Sequence, residues 1–167
     1  MRHLVFPMST LQKCSIALLC ALPLSACVPK KMPGTDIDDT PQTRAVLALF
    51  QQYRQAVENL DVNALISLCD ESFRDNGGSA DAQDDLVYSM LQEKLTERFR
   101  SIKDVHLDIS VRTIEINEEA TQAQVTYSYI LNFRMPQYAK HSYTESNIKQ
   151  MALKRVDENT WKITSGI

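Results

Sequence analysis

The sequence has 167 residues, of which 44% are hydrophobic, so it is long enough for one domain with a proper core and too short for two. Lysine and arginine total 18 against 21 aspartate and glutamate residues, which gives a net charge of −3. Because there is no excess of basic residues to neutralise phosphates, binding to nucleic acid is not expected.

The first 26 residues have the layout of a signal peptide. An apolar segment, residues 14–24, follows the positive charges Arg2 and Lys13, and the whole segment contains no acid. A helix that spans a bilayer needs about 20 apolar residues, whereas this segment is shorter and is interrupted by Pro23. The pattern therefore predicts an export signal, residues 1–26, that is removed from the mature protein.

The four residues Leu24-Ser25-Ala26-Cys27 resemble the lipobox of bacterial lipoproteins. The resemblance implies that Cys27 carries a diacylglyceryl group, that the chain is cut before it, and that its new amino group is acylated, for example with palmitate. Two or three acyl chains together would make a stable membrane anchor. An ordinary secretory cleavage site beside a chance cysteine is the alternative.

The residue after the lipobox bears on location. In the lipoprotein family an Asp at this position favours retention in the inner membrane, and here the residue is Val28. The resemblance therefore implies the outer membrane, facing the periplasm, if the cell is Gram-negative, and otherwise the outer face of the cell membrane.

Removal of the signal changes both the charge and the cysteine count. Arg2 and Lys13 leave without any acid, so 16 basic residues face 21 acidic ones and the net charge becomes about −5. Of the four cysteines only Cys69 would remain unmodified, so no internal disulfide is expected. Its neighbours Leu65, Ile66 and Leu68 favour a small buried hydrophobe over a reactive thiol.

The mature chain divides into a tether, residues 27–39, and a domain, residues 40–167. The tether contains prolines, a glycine, two lysines and three acids, with almost nothing to bury. The domain begins with a helix at Thr40-Pro41, where a hydroxyl precedes a proline. A short second helix follows Asp61 as its cap, and a third helix is expected from Asp81 or Asp84 to Lys103.

After the third helix the hydrophobic period changes to two. Strands are predicted from Val105 to Ile116, from Ala123 to Met135, from Tyr143 to Val156 and from Trp161 to Thr164. The parity of apolar residues reverses within the first of these strands, which predicts a bulge near Arg112-Thr113. Ile130 is the one apolar residue on the polar face of the second strand.

Three helices followed by antiparallel strands predict an α+β fold with the helices on one face of a curved sheet. Thr40 to Ile167 resembles the nuclear transport factor 2-like, or ketosteroid-isomerase-like (cystatin-like), superfamily. The resemblance lies in the helix, break and Asp-started helix of residues 50–65, in Ser72-Phe73-Arg74-Asp75 and in the terminal Trp161-Lys162-Ile163. It implies a cone-shaped domain with a pocket, in a superfamily of isomerases, dehydratases, hydrolases and non-catalytic binding modules.

The sequence favours a cavity without catalytic residues. No acid lies on the apolar face of the Ala123–Met135 strand, and His106 and His141 are expected on the surface. No cofactor or metal-binding pattern is present, so no catalytic, cofactor or metal residue is assigned. The aromatic residues that could line a cavity, although such residues are more often simply core, are Tyr53, Phe99, Tyr127, Tyr129 and Trp161.

Three functions remain open. The first is a non-catalytic module, anchored to the membrane at Cys27, that binds a small apolar ligand or an envelope protein. The second is a small isomerase, dehydratase or hydrolase in which Asp75 or another loop acid reaches into the cone. The third is a homodimer formed through the outer sheet face, which carries Thr126, Ser128, Ile130 and Asn132.

Overall fold

The computed structural model describes residues 30–77, 85–136 and 141–167, and the predicted signal peptide and lipobox lie outside these ranges. Three helices precede a four-stranded sheet, and a two-stranded ribbon lies between the second and third helices. The elements are α1 (Pro41–Glu58), α2 (Val62–Ser67), β1 (Arg74–Asp75), β2 (Leu86–Val87), α3 (Tyr88–Arg100), β3 (Lys103–Ile116), β4 (Gln122–Arg134), β5 (Ser142–Asp157) and β6 (Thr160–Ser165). The predicted α+β class is confirmed.

The first helix begins where the sequence predicts. The Thr43 amide donates to the Thr40 hydroxyl at 3.1 Å, and the Thr40 amide donates to the Thr43 hydroxyl at 3.0 Å. This reciprocal capping satisfies amides that the first turn leaves without helical partners. Apolar residues then recur on one face, which α1 buries against the sheet; the buried set is Val46, Leu49, Phe50, Tyr53, Ala56 and Val57.

The second helix is fixed at both ends. Asp61 caps it by accepting from the Ala64 amide at 2.9 Å, as predicted. After the helix, the Asp70 amide donates to the Ile163 carbonyl and the Ile163 amide to the Leu68 carbonyl, each at 2.8 Å. Cys69 lies between these two bonds and is buried, which confirms its predicted place in the core.

The third helix is shorter than predicted. Residues 81–84 lie outside the described ranges, but Leu86 and Val87 form strand β2, which pairs with β1. The Tyr88 amide donates to the Phe73 carbonyl at 3.1 Å, so the helix starts only after this ribbon. At the other end Lys103 belongs to β3, where it pairs with Arg134. Backbone pairing with distant segments, which the local periodicity does not reveal, sets both ends.

The four long strands form one antiparallel sheet in the order β3-β4-β5-β6. The register between β3 and β4 shifts between Val111 and Thr113, which confirms the predicted bulge. The bulge keeps Ile109, Val111, Ile114 and Ile116 packed against the core despite their change of parity. The sheet curves around the helices, and its inner face contributes the buried side chains of Val125, Tyr127, Met151, Leu153 and Ile163.

Residues 30–39, the described part of the predicted tether, contain local structure. Lys31 and Asp38 form an antiparallel bridge, and Gly34 turns the chain with a φ of +76°. The side chain of Ile37 is buried, so this segment does have an apolar group to bury. Within residues 30–77, 85–136 and 141–167 no helix has both the length and the apolar character needed to cross a bilayer.

Candidate ligand-binding cavity

A cavity of about 300 Å³ lies between the helices and the concave face of the sheet. Most of its wall is apolar or aromatic, and its charged residues come from α3 and β5. The lining residues are Tyr53, Val57, Leu65, Leu86, Lys94, Leu95, Arg98, Phe99, Ile102, Leu107, Tyr127, Tyr129, Leu131, Glu145, Lys149 and Ile167. An apolar pocket with a few convergent polar groups is the usual form of a small-molecule site.

Four of the five aromatic residues singled out from the sequence meet at this cavity. Tyr53 comes from α1, Phe99 from α3, and Tyr127 and Tyr129 from β4. Trp161 is not part of the wall and is only 3% exposed. It lies on β6, the edge strand that pairs with β5. A bridge between Cys69 and Ile163 joins this edge of the sheet to the chain that follows α2.

The closed end of the cavity holds two buried tyrosines, Tyr53 and Tyr127. The Tyr127 hydroxyl donates to the Gly166 carbonyl at 3.1 Å. Phe50 packs edge-on against Tyr127, with ring centres 5.1 Å apart. Burial raises the pKa of both hydroxyls above the ordinary tyrosine value, so this end of the cavity is neutral at physiological pH.

The residues after β6 close the same end. Gly166 donates its amide to the Asp75 carboxylate at 2.8 Å and has a φ of +92°. A Cβ at this position would come within 2.1 Å of the Gln150 carbonyl oxygen, so the close approach to β5 requires glycine. Ile167, the next residue, lines the cavity.

The open end of the cavity carries four charged residues, which we call the charged rim: Lys94, Arg98, Glu145 and Lys149. Arg98 Nη2 lies 3.5 Å from Glu145 Oε2, which links α3 to β5. The Lys149 ammonium lies 5.8 Å from the centre of the Tyr129 ring and donates to the Ile167 carbonyl at 3.2 Å. The Arg98 guanidinium lies 5.7 Å from the centre of the Phe133 ring.

Tyr129 connects the apolar wall to the charged rim. Its hydroxyl donates to Glu145 Oε1 at 2.6 Å. Burial, and next the hydrogen bond to the Glu145 carboxylate, raise the pKa of Tyr129 to about 12. Tyr129 is therefore a neutral donor at physiological pH, and its hydrogen bond occupies one of the acceptor positions of the Glu145 carboxylate.

Glu145 and Lys149 were not among the residues predicted to line the cavity, because the two faces of β5 were not assigned from the sequence. The strand register supplies that assignment: Glu145 pairs with Leu131 and Lys149 with Tyr127, both on the inner face of β4. The signal was present at Met151 and Leu153, which are two and four residues beyond Lys149 and are buried on the same face.

Other candidate groups lie away from the cavity wall. His106 is exposed, as predicted, and its Nδ1 lies 2.9 Å from Glu58. Asp75, the acid considered for catalysis, accepts from the Gly77 and Gly166 amides and does not line the cavity. Burial raises the pKa of the Cys69 thiol to about 12, which makes it a poor nucleophile at physiological pH.

Two further observations bear on alternative sites. In the part of the chain that the structure describes, no three His, Cys, Asp or Glu side chains come together in a way that could hold a metal ion. A larger groove of about 630 Å³ lies at one end of the sheet beside Glu115, Gln122 and Lys154, but it is more open to solvent and its wall is less apolar than that of the cavity under α3. The cavity under α3 is therefore the better candidate for binding a small molecule.

Comparison with solved structures identifies the fold. A ketosteroid isomerase-like protein from Erwinia carotovora atroseptica superposes with a TM-score of 0.60 and 13% identity, covering 74% of this chain and 91% of that one. A nuclear transport factor 2-like protein of unknown function from Shewanella oneidensis gives 0.57 and 13%, covering 74% and 95%. A provisionally assigned dehydratase of the same fold from Streptomyces avermitilis gives 0.60 and 12%, covering 75% and 93%.

Sequence comparison adds no relative. No protein-family model matches the chain, and no curated protein does. The structural neighbours establish the nuclear transport factor 2-like fold predicted from the sequence. At identities this low they establish the fold alone, because the same fold carries unrelated activities.

Proposed function

We propose that this protein is a lipid-anchored envelope lipoprotein whose cone-shaped domain binds a small, mainly apolar ligand without transforming it. The observation that carries the proposal is the cavity of about 300 Å³, whose body is apolar and whose charged residues lie at the open end. The tyrosines inside it are neutral donors or acceptors. Such groups orient a ligand but do not move protons readily near neutral pH.

A cavity-filling variant tests ligand binding. Leu95 lines the cavity on α3 and is half-buried, so Leu95→Trp should fill it without new charge. Using 2-naphthamide as a neutral apolar probe, isothermal titration calorimetry should show binding to the wild type and loss of binding in Leu95→Trp. Ile148→Trp, at an exposed position on β5, is the matched control and should bind as the wild type does. Equal binding by both variants would rule out the cavity.

Catalysis is the second candidate, because the Tyr129 hydroxyl donates to a carboxylate, that of Glu145, at the cavity. An isomerase, dehydratase or hydrolase of this fold could use such a pair as base and donor. Binding is favoured because the Glu145 side chain is 49% exposed and is engaged by both Arg98 and Tyr129. Turnover of any substrate that disappears in both Leu95→Trp and Glu145→Gln would contradict the non-catalytic proposal.

The anchor is proposed from the lipobox-like residues Leu24 to Cys27. When the full-length chain is expressed in a Gram-negative host with labelled palmitate, the wild type should incorporate label and sediment with the outer membrane. Cys27→Ser should do neither. Cys69→Ser, which changes a cysteine of the domain, is the control and should keep the label. Incorporation of label into Cys27→Ser would contradict the anchor.

A further inference from the structure

The charged rim is positive although the protein is acidic. Among the side chains, three cations, Lys94, Arg98 and Lys149, face one carboxylate, that of Glu145, in a chain whose net charge is −3. An excess of positive charge at the opening of an otherwise apolar cavity attracts an anionic group and repels a cationic one.

The cations of the rim are held in place and retain free donors. Arg98 lies over Phe133 and Lys149 over Tyr129, so ring faces limit the positions of both side chains. A guanidinium has five N–H donors and an ammonium three, and the contacts described above use only some of them. Lys94, one turn before Arg98 on α3, makes no hydrogen bond or ion pair with the described residues. The rim can therefore accept a further anion.

The position of Glu145 shows which anion fits. Its carboxylate receives the Tyr129 hydroxyl at 2.6 Å and lies 3.5 Å from the Arg98 guanidinium. A carboxylate of this chain thus already occupies donors that open onto the cavity. Because the Glu145 side chain is half exposed, it can turn into water and leave those donors to a ligand.

We propose that the ligand of this cavity is a small amphipathic carboxylate, whose head binds Arg98 and Tyr129 in place of Glu145 and whose apolar body lies against Phe99 and Leu95. The inference rests on the proposed ligand-binding function and adds the chemical class of the ligand. A volume of about 300 Å³ is at the lower end of small-molecule sites, which suits a single fused ring or a medium-length chain.

Two probes of the same shape separate the contribution of the charged head to affinity from that of the apolar body. They are 2-naphthoate, which is an anion, and 2-naphthamide, which is neutral. We expect the purified full-length protein to bind 2-naphthoate about tenfold more tightly in titration calorimetry, the effect of one or two hydrogen bonds to a charged group. Equal affinity for the two probes would overturn the inference and leave the cavity as an apolar site. Binding of neither probe would overturn the proposed function, and the inference with it.

Variants that remove a single charge test whether the carboxylate head of the ligand binds at the charged rim. Arg98→Gln should weaken binding of 2-naphthoate about tenfold while changing binding of 2-naphthamide by less than about twofold. Glu145→Gln should instead tighten binding of 2-naphthoate, because the internal competitor is neutral. Arg100→Gln and Glu118→Gln, which remove the same charges from exposed positions outside the cavity, are the controls. Equal effects of Arg98→Gln and Arg100→Gln would overturn the assignment.

Discussion

Gly166 fixes the residues after β6 against β5, where a larger residue would not fit. The Cβ of Gly166→Ala would lie 2.1 Å from the Gln150 carbonyl oxygen, at a φ of +92°. We expect the free energy of unfolding in urea to fall by at least about 2 kcal/mol. Gly34→Ala also has a positive φ but no atom within 4 Å, so it should cost only about 1 kcal/mol. Equal costs would contradict the role of close packing at Gly166.

The Tyr53 and Tyr127 side chains are buried at the same end of the cavity, so their contributions to stability should be coupled. Tyr127→Phe leaves the Gly166 carbonyl without its donor in a buried place, so we expect a loss of about 1–3 kcal/mol. The double variant Tyr53→Phe with Tyr127→Phe should lose less than the sum of the single losses. Tyr143→Phe, at an exposed position, should change stability by less than about 0.5 kcal/mol. Additive losses would contradict the coupling of the two tyrosines.

The same buried groups predict a loss of stability in alkali. The folded-state pKa is raised for Tyr53, Tyr127 and Tyr129 from the ordinary 10.0, and for Cys69 from 9.0. Above those ordinary values the unfolded chain loses protons that the folded chain keeps, so the free energy of unfolding falls as pH rises. The urea midpoint should be level to about pH 9 and then drop towards pH 12. The double tyrosine variant should flatten the drop, and a midpoint that stays level would contradict this account.

The start of α1 depends on the reciprocal bonds of Thr40 and Thr43. Thr40→Ala removes the hydroxyl that accepts from the Thr43 amide, so we expect a loss of about 1 kcal/mol in urea unfolding. Gln52→Ala, at an exposed position inside the same helix, should be neutral or slightly stabilising because alanine favours helices. If both variants lose the same amount, the cap does not set the stability of α1.

At the level of elements, the sequence predicted what depends on local chemistry. The Thr40-Pro41 start, the Asp61 cap and the alternation of β4 are all local, and so is the parity change that required the bulge after Val111. The predicted start of α3 was wrong because Leu86 and Val87 pair as a strand with β1, about a dozen residues earlier. Hydrophobic periodicity describes side chains and does not reveal which backbone groups are already paired.

The residues of the candidate site also fall into those that local sequence pattern predicted and those that it did not. Tyr53, Phe99, Tyr127 and Tyr129 could be named from the sequence because each lies on the apolar face of its element. Glu145 and Lys149 were missed, because the inner face of β5 is apolar at Met151 and Leu153 but charged where it passes the open end of the cavity. A change from apolar to charged along a single face removes the pattern by which that face is recognised.

At the scale of the whole molecule, self-association through the outer sheet face stays a prediction. Ile130 on β4 is exposed, as predicted, at 47%, and Ile148 on β5 is 51% exposed, with polar residues around them. If copies pair through this face, Ile130→Lys with Ile148→Lys should reduce the mass in light scattering from dimer to monomer. Met90→Lys, which changes an exposed apolar residue of α3, should leave the mass unchanged. A wild-type monomer mass at every concentration would contradict pairing.

The central claim is that the cone cavity is a binding site. Its most direct test is a crystal structure of the protein soaked with 2-naphthamide. We predict that the ring lies under α3 between Phe99 and Tyr129, with the amide towards the charged rim. A cavity that stays empty at a soaking concentration far above the dissociation constant, or a ring bound only on the outer sheet face, would contradict the account.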